Sequence, residues 1–137
     1  MIKRLSVATI WVTDQAEALG FYTEKLGFEI RTDVTNGDFR WLTIGLPSQP
    51  ELEFQLGAIK VGGQFTQDEA DHLTKLVEAG HLGIGPWKTD DCQKTYEMLK
   101  SKGVEFVQPP TDRPYGIIEA IFKDNSGNIM VLTQDKS

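Results

Sequence analysis

The sequence predicts an α+β fold in which two βαβββ modules carry curved, mixed sheets that enclose a cleft. Three observations carry this prediction. The stretch from Leu5 to Ile30 changes its apolar spacing from strand-like to helical and back. The same unit returns in the second half, where Asp91 follows Asp14 by 77 positions and Gly103 follows Gly27 by 76. Each copy then leads into further alternating runs separated by turn residues.

In the first unit, Val7-Ala8-Thr9-Ile10-Trp11-Val12 is β-branched and aromatic, and suits a pleated, half-buried surface. Thr13-Asp14 offers a short polar cap, after which Ala18, Leu19, Phe21, Tyr22 and Leu26 recur at helical spacing. Gly27 is the expected left-handed C-cap. Phe28-Glu29-Ile30-Arg31 resumes alternation. The Asn36-Gly37 pair then signals a hairpin into a strand over Phe39 to Ile44. Gly45 to Pro50 is a turn, since two prolines remove ladder donors. Glu51 to Leu56 is the last strand of the module.

Between the modules, Gly62-Gly63 breaks regular structure. Thr66 and Glu69 match a capping box ahead of Ala70, Leu73, Leu76 and Val77, so a short helix is expected to end at Gly80. The second module opens with His81 to Lys88, a strand interrupted by glycine and proline. A helix with Tyr96, Met98 and Leu99 on its apolar side follows Thr89-Asp90-Asp91 and ends at Gly103. Val104 to Val107 is a strand, Gln108 to Gly116 a proline-rich loop, Ile117 to Lys123 a strand, Asp124 to Asn128 a turn, and Ile129 to Gln134 the last strand. The expected organisation is one domain over 1–137: module 1 at 1–56, a linker with a short helix at 57–80, and module 2 at 81–137.

A chain of 137 residues with 39% hydrophobic and 25% charged residues can bury a real core. Its formal charge of −6 argues against nonspecific binding to nucleic acid or anionic membranes, which would repel it. With a single cysteine, Cys92, no intrachain disulfide forms. Asp90 and Asp91 oppose a thiolate there, so a structural role is expected. Met1-Ile2-Lys3-Arg4 leads into a strand without the apolar stretch of a signal peptide, and no run reaches the length of a membrane span. A soluble, cytoplasmic protein is expected.

The duplicated βαβββ order, the string TDQAEALGFYTEKLGF at Thr13 to Phe28, the string DDCQKTYEMLKSKGVEF at Asp90 to Phe106, the loop at Pro109 to Gly116 and the turn at Asp124 to Asn128 resemble the vicinal oxygen chelate (VOC) superfamily. That superfamily includes glyoxalase I, the bleomycin resistance proteins and extradiol dioxygenases. The resemblance covers nearly the whole chain apart from Gly57 to Gly80, and it implies a homodimer. In metal-dependent members it implies four ligand positions, which fall here at Val7, Glu53, Ile84 and Val131. A divalent ion needs several N, O or S donors at once, and three of these four residues supply none. No metal ligand set and no cofactor are therefore expected. His81 lies three residues before Ile84; in a regular strand that odd offset turns it to the other face, unless a glycine bulge resets the alternation.

If Val7 and Glu53 face a cavity, alternation places Thr9 and Trp11 with the former, and Glu51 and Gln55 with the latter. The expected ligand-contacting residues are Thr9, Trp11, Trp41, Glu53, Trp87 and Tyr115, with Trp87 the more exposed of Trp41 and Trp87. Core packing is the plainer role for each tryptophan. Glu53 is the best candidate for a catalytic group, as a general base; its plainer role is to pair with Arg40 or a lysine. The function this implies is binding or sequestration of a planar or aromatic organic compound, as in the bleomycin resistance branch. The alternative is a lyase, isomerase or dioxygenase that uses a divalent metal ion through Glu53 and His81. A third reading is a regulatory or interaction subunit without a small ligand.

Overall fold

The computed structural model describes residues 1–136 and divides them between two compact units, Met1–Lys75 and Leu76 onward. Each unit holds one four-stranded mixed sheet with a helix on one face, in the order βαβββ.

In the first unit, β1 (Val7–Val12) leads into α1 (Gln15–Gly20), and β2 (Glu29–Asn36), β3 (Phe39–Gly45) and β4 (Glu53–Ala58) follow. The sheet order is β1-β4-β3-β2, with β1 parallel to β4 and the other pairs antiparallel. Asp14 caps α1 by accepting a hydrogen bond from the Glu17 backbone N–H at 2.9 Å. The helix then widens into a π-helical turn over Phe21–Lys25, closed by Leu26 N–H donating to the Phe21 carbonyl. Gly27 leaves it at φ 79°, where a Cβ would be strained. The widened turn sends both Phe21 and Tyr22 into the core, and edge-to-face contacts link Tyr22 to Phe28 at 5.4 Å and Phe28 to Phe54 of β4 at 6.2 Å. Ile10, Val12, Leu42, Ile44 and Leu56 complete the buried side, each fully buried aliphatic contributing about 1.5–3 kcal/mol.

The β2–β3 hairpin pairs Asn36 with Phe39, so the two-residue loop is Gly37-Asp38. Arg31 fastens the following turn by donating to the carbonyls of Leu46 at 2.9 Å and Pro50 at 3.0 Å. That turn runs further than the sequence suggests. Leu52 N–H closes on the Gln49 carbonyl, β4 starts at Glu53, and Glu51 stands exposed outside the strand instead of beside Glu53.

The helix α2 (Gln67–Glu78) opens with the expected capping box: Glu69 N–H donates to Thr66 Oγ1 at 3.2 Å, and Thr66 N–H to Glu69 Oε1 at 2.9 Å. Ala70 and Val77 are buried, whereas Leu76 is exposed.

In the second unit, β5 (Trp87–Lys88), α3 (Cys92–Ser101), β6 (Phe106–Arg113), β7 (Ile117–Lys123) and β8 (Ile129–Asp135) build a sheet of order β5-β8-β7-β6. Asp91 caps α3 at the Lys94 N–H. Edge-to-face and tilted ring contacts join Tyr96 to Phe106 at 4.6 Å and Phe106 to Phe122 at 5.3 Å. Leu99 and Cys92 are the buried helix residues; Met98 is half exposed, one position off the inward stripe.

Two strand assignments change. The strand expected over His81 to Lys88 is reduced to Trp87–Lys88, because Pro86 has no N–H to give and the backbone at Gly83 presses on the Ile129 carbonyl, 1.9 Å from where a Cβ would stand. The proline-rich loop, in turn, belongs to β6. This is an edge strand of its sheet, and its register shifts between Phe106 and Gln108 and again before Thr111 accommodate Pro109 and Pro110. The turn after β7 is closed by Asp124, whose Oδ1 accepts from the N–H groups of Ser126 and Asn128 and whose Oδ2 accepts from the Asn128 amide.

Candidate functional site

In the first unit, strand pairing places Val7 opposite Glu53, Thr9 opposite Gln55 and Trp11 opposite Gly57, while Thr43 pairs with Gln55. Period-2 alternation therefore gathers Thr9, Trp11, Trp41, Thr43, Glu53 and Gln55 on the sheet face opposite the Ile10, Leu42 and Phe54 core. Most of these side chains are half buried, and Thr43 is fully so. A cavity of about 500 Å³ opens at the Trp11 end. Its walls include Trp11, Phe39, Gln55 and Gln15, with residues from Lys60 to Gln64 along one side.

The indole of Trp11 lies on the sheet because position 57 lacks a side chain, and Phe65 meets it edge-on at 5.2 Å. Trp41 stands beside Phe39 with ring centres 6.4 Å apart. Gln15 donates from Nε2 to the carbonyls of Arg40 and Leu56, which fixes the start of α1 against the strands. Thr9 Oγ1 donates to Gln55 Oε1 at 3.1 Å.

Glu53 is half buried, and its Oε1 accepts a hydrogen bond from the buried Thr43 hydroxyl at 2.7 Å. The pairing with Arg40 does not form. Arg40 makes a two-pronged contact with Asp33, both bonds at 2.9 Å, because Asp33 pairs with Leu42 and so shares Arg40's side of the hairpin. That guanidinium holds the Asp33 carboxyl below the usual carboxylate range, and the carboxylate raises the arginine in turn.

In the second unit, a cavity of about 530 Å³ is lined by His81, Ile84, Tyr115, Glu119, Val131 and Thr133, among others. Tyr115 is exposed at its rim. Since 81–86 is not a strand, the alternation that would turn His81 away from Ile84 does not operate, and both residues line this cavity. Glu119 is held by Arg113 at 3.1 Å and by the Gln108 amide at 3.3 Å. Trp87 pairs with Leu132, which places it on the sheet side opposite Val131 and Thr133; it is half buried, and its indole N–H donates to the Ile84 carbonyl at 2.7 Å. Cys92 is buried, and desolvation, reinforced by Asp91, pushes its thiol above the ordinary value.

The sequence reading omitted Gln15, Phe39, Lys60 and Glu119 from the candidate residues. Alternation with Trp41 was an available signal for Phe39. Gln15 had none, because its role depends on carbonyls 25 and 41 residues away.

The four ligand positions that the family resemblance implies carry Val7, Glu53, Ile84 and Val131. Three are hydrocarbon, and the fourth has one oxygen engaged by Thr43. Among the described residues, no group of three or more His, Cys, Asp or Glu side chains is arranged to hold an ion. This donor set does not fit a divalent metal. Nor is any helix among those residues long and apolar enough to cross a membrane.

Two four-stranded mixed sheets, each built in the order βαβββ, define a protein of the VOC fold. The chain belongs to the Glyoxalase/Bleomycin resistance protein/Dioxygenase superfamily, whose family model matches residues 4–132. It is similar to the crystal structure of UcmS2, at 43% identity with both chains fully covered and a TM-score of 0.91. It is also similar to TnmS3, an antibiotic binding protein from Streptomyces sp. CB03234, at 25% identity over 98% of this chain and 97% of that one, with a TM-score of 0.75. The uncharacterized protein YurT of Bacillus subtilis (strain 168) is 35% identical over 131 residues, which are 96% of this chain and 98% of YurT.

Proposed function

We propose that this protein is a metal-independent binding protein that sequesters a planar or aromatic organic compound. The observation that carries this reading is the Trp11 indole packed against Gly57 beside a cavity of about 500 Å³, a volume suited to a small organic molecule. The ring gives stacking area, and the polar side chains around it, among them Gln15, Gln55 and Lys60, can fix a ligand's orientation. Support comes also from the likeness to TnmS3, described as an antibiotic binding protein. Thr9, Trp41 and Glu53 belong to the same proposal as ligand-contacting residues in the first unit, and Trp87 and Tyr115 as separate candidate contacts in the second; action as one VOC domain over 1–137, homodimerisation and a cytoplasmic location belong to it too.

The test is a thermal-shift screen of aromatic antibiotics and metabolites, with and without divalent ions, repeated on Trp11→Ala. Ligands are expected to raise the melting temperature independently of metal, and Trp11→Ala should weaken binding by about tenfold, the loss of one aromatic contact. Stoichiometric zinc, nickel, manganese or iron in the purified protein that disappears on Glu53→Ala would sink the proposal. The metal-dependent lyase, isomerase or dioxygenase would then stand in its place.

A further inference from the structure

The Gln55 side chain has its two ends in different situations. Its Oε1 accepts the Thr9 hydroxyl at 3.1 Å, while its Nε2 makes no hydrogen bond to any described residue, although Gln55 lines the cavity beside Trp11. Of the other two amides in that wall, Gln64 is exposed at its outer side, and Gln15 has the reverse polarity: its Nε2 is taken by the carbonyls of Arg40 and Leu56. The cations nearby are also engaged, Arg40 by Asp33 and Lys60 by the Asp38 carbonyl.

We propose that Gln55, oriented by Thr9, is the specificity-determining residue of this cavity and selects an aromatic ligand that presents a neutral hydrogen-bond acceptor, such as a carbonyl oxygen, to its amide N–H. The inference rests on the ligand-binding reading given above. A covering ligand without an acceptor would strip water from an N–H that has nothing else to bond, and that penalty is what discriminates. Thr9 acts as a positioning residue. Without its hydroxyl the amide can turn over and present its oxygen instead.

The experiment compares two probes of the same shape, 2-acetylnaphthalene and 2-isopropenylnaphthalene, which differ by a carbonyl oxygen in place of a methylene. Affinities are measured by tryptophan fluorescence quenching on the full chain. The wild-type protein is expected to bind the ketone roughly three- to tenfold more tightly, the worth of one hydrogen bond. Gln55→Leu should abolish that ratio, and Thr9→Val should reduce it while both probes still bind. A ratio taken on a single variant cancels any general loss of folded protein. Equal affinities in the wild type, or a ratio that survives Gln55→Leu or is lost only in Lys60→Met, would overturn the inference and leave the binding reading standing. No saturable binding of either probe, with fluorescence indifferent to Trp11→Ala, would overturn both.

Discussion

Gly57 packs against the indole of Trp11, so that a Cβ at position 57 would stand 2.8 Å from the ring atoms Cε3 and Cζ3 and 3.1 Å from Thr9 Cγ2. Gly57 and Trp11 are register partners on β4 and β1, and the glycine provides the space that the ring occupies.

Gly57→Ala is therefore expected to lift the ring and destabilise the protein by about 1–3 kcal/mol, as overpacking does. Chemical denaturation gives the stability, and a shift in tryptophan emission reports the ring's movement. In a Trp11→Ala background the same substitution should cost much less, since only the looser contact with Thr9 Cγ2 remains; additive losses would contradict the geometry.

Thr66→Ala removes the hydroxyl that caps α2 and should cost about 1 kcal/mol in chemical denaturation. Thr66→Ser, which keeps the oxygen, should cost less than half of that.

Acid should weaken two exposed contacts. Hydrogen bonding to Arg40 lowers the Asp33 carboxyl, and the Thr66 backbone N–H lowers that of Glu69. A carboxyl whose folded pKa is depressed contributes stability above its unfolded value, near 4, and loses it as pH falls through the folded value. The melting-temperature difference between wild type and Asp33→Asn is thus expected to be largest near neutrality and to shrink below about pH 4. A difference that stays constant down to pH 2 would show that the ion pair contributes nothing.

Cys92 should resist modification. Its thiol is buried and its pKa is raised by desolvation, so a neutral-pH thiol reagent is expected to react only as fast as the second unit opens. Reaction should become rapid in denaturant, and Asp91→Asn should change it little in the folded state because burial is the larger cause.

What the sequence determined lies within short separations. The strand, helix and strand of the first half, the helix of the second, the caps at Asp14, Asp91 and Thr66, and the exits at Gly27 and Gly103 are written in spacings of a few residues. Other features depended on residues that meet only after folding. Arg40 reaches Asp33 and not Glu53 because hairpin register puts both on one side. Glu53 finds Thr43 across a strand pair, and Thr9 orients Gln55 from 46 positions away. The prolines of β6 sit in a strand because that strand became an edge. His81 shares a cavity with Ile84 because the stretch around Gly83 packs on Ile129 instead of pairing. Local spacing encodes an element, whereas register, edge position and hydrogen-bond partner are set by contacts between distant parts of the chain, and tertiary structure decides them.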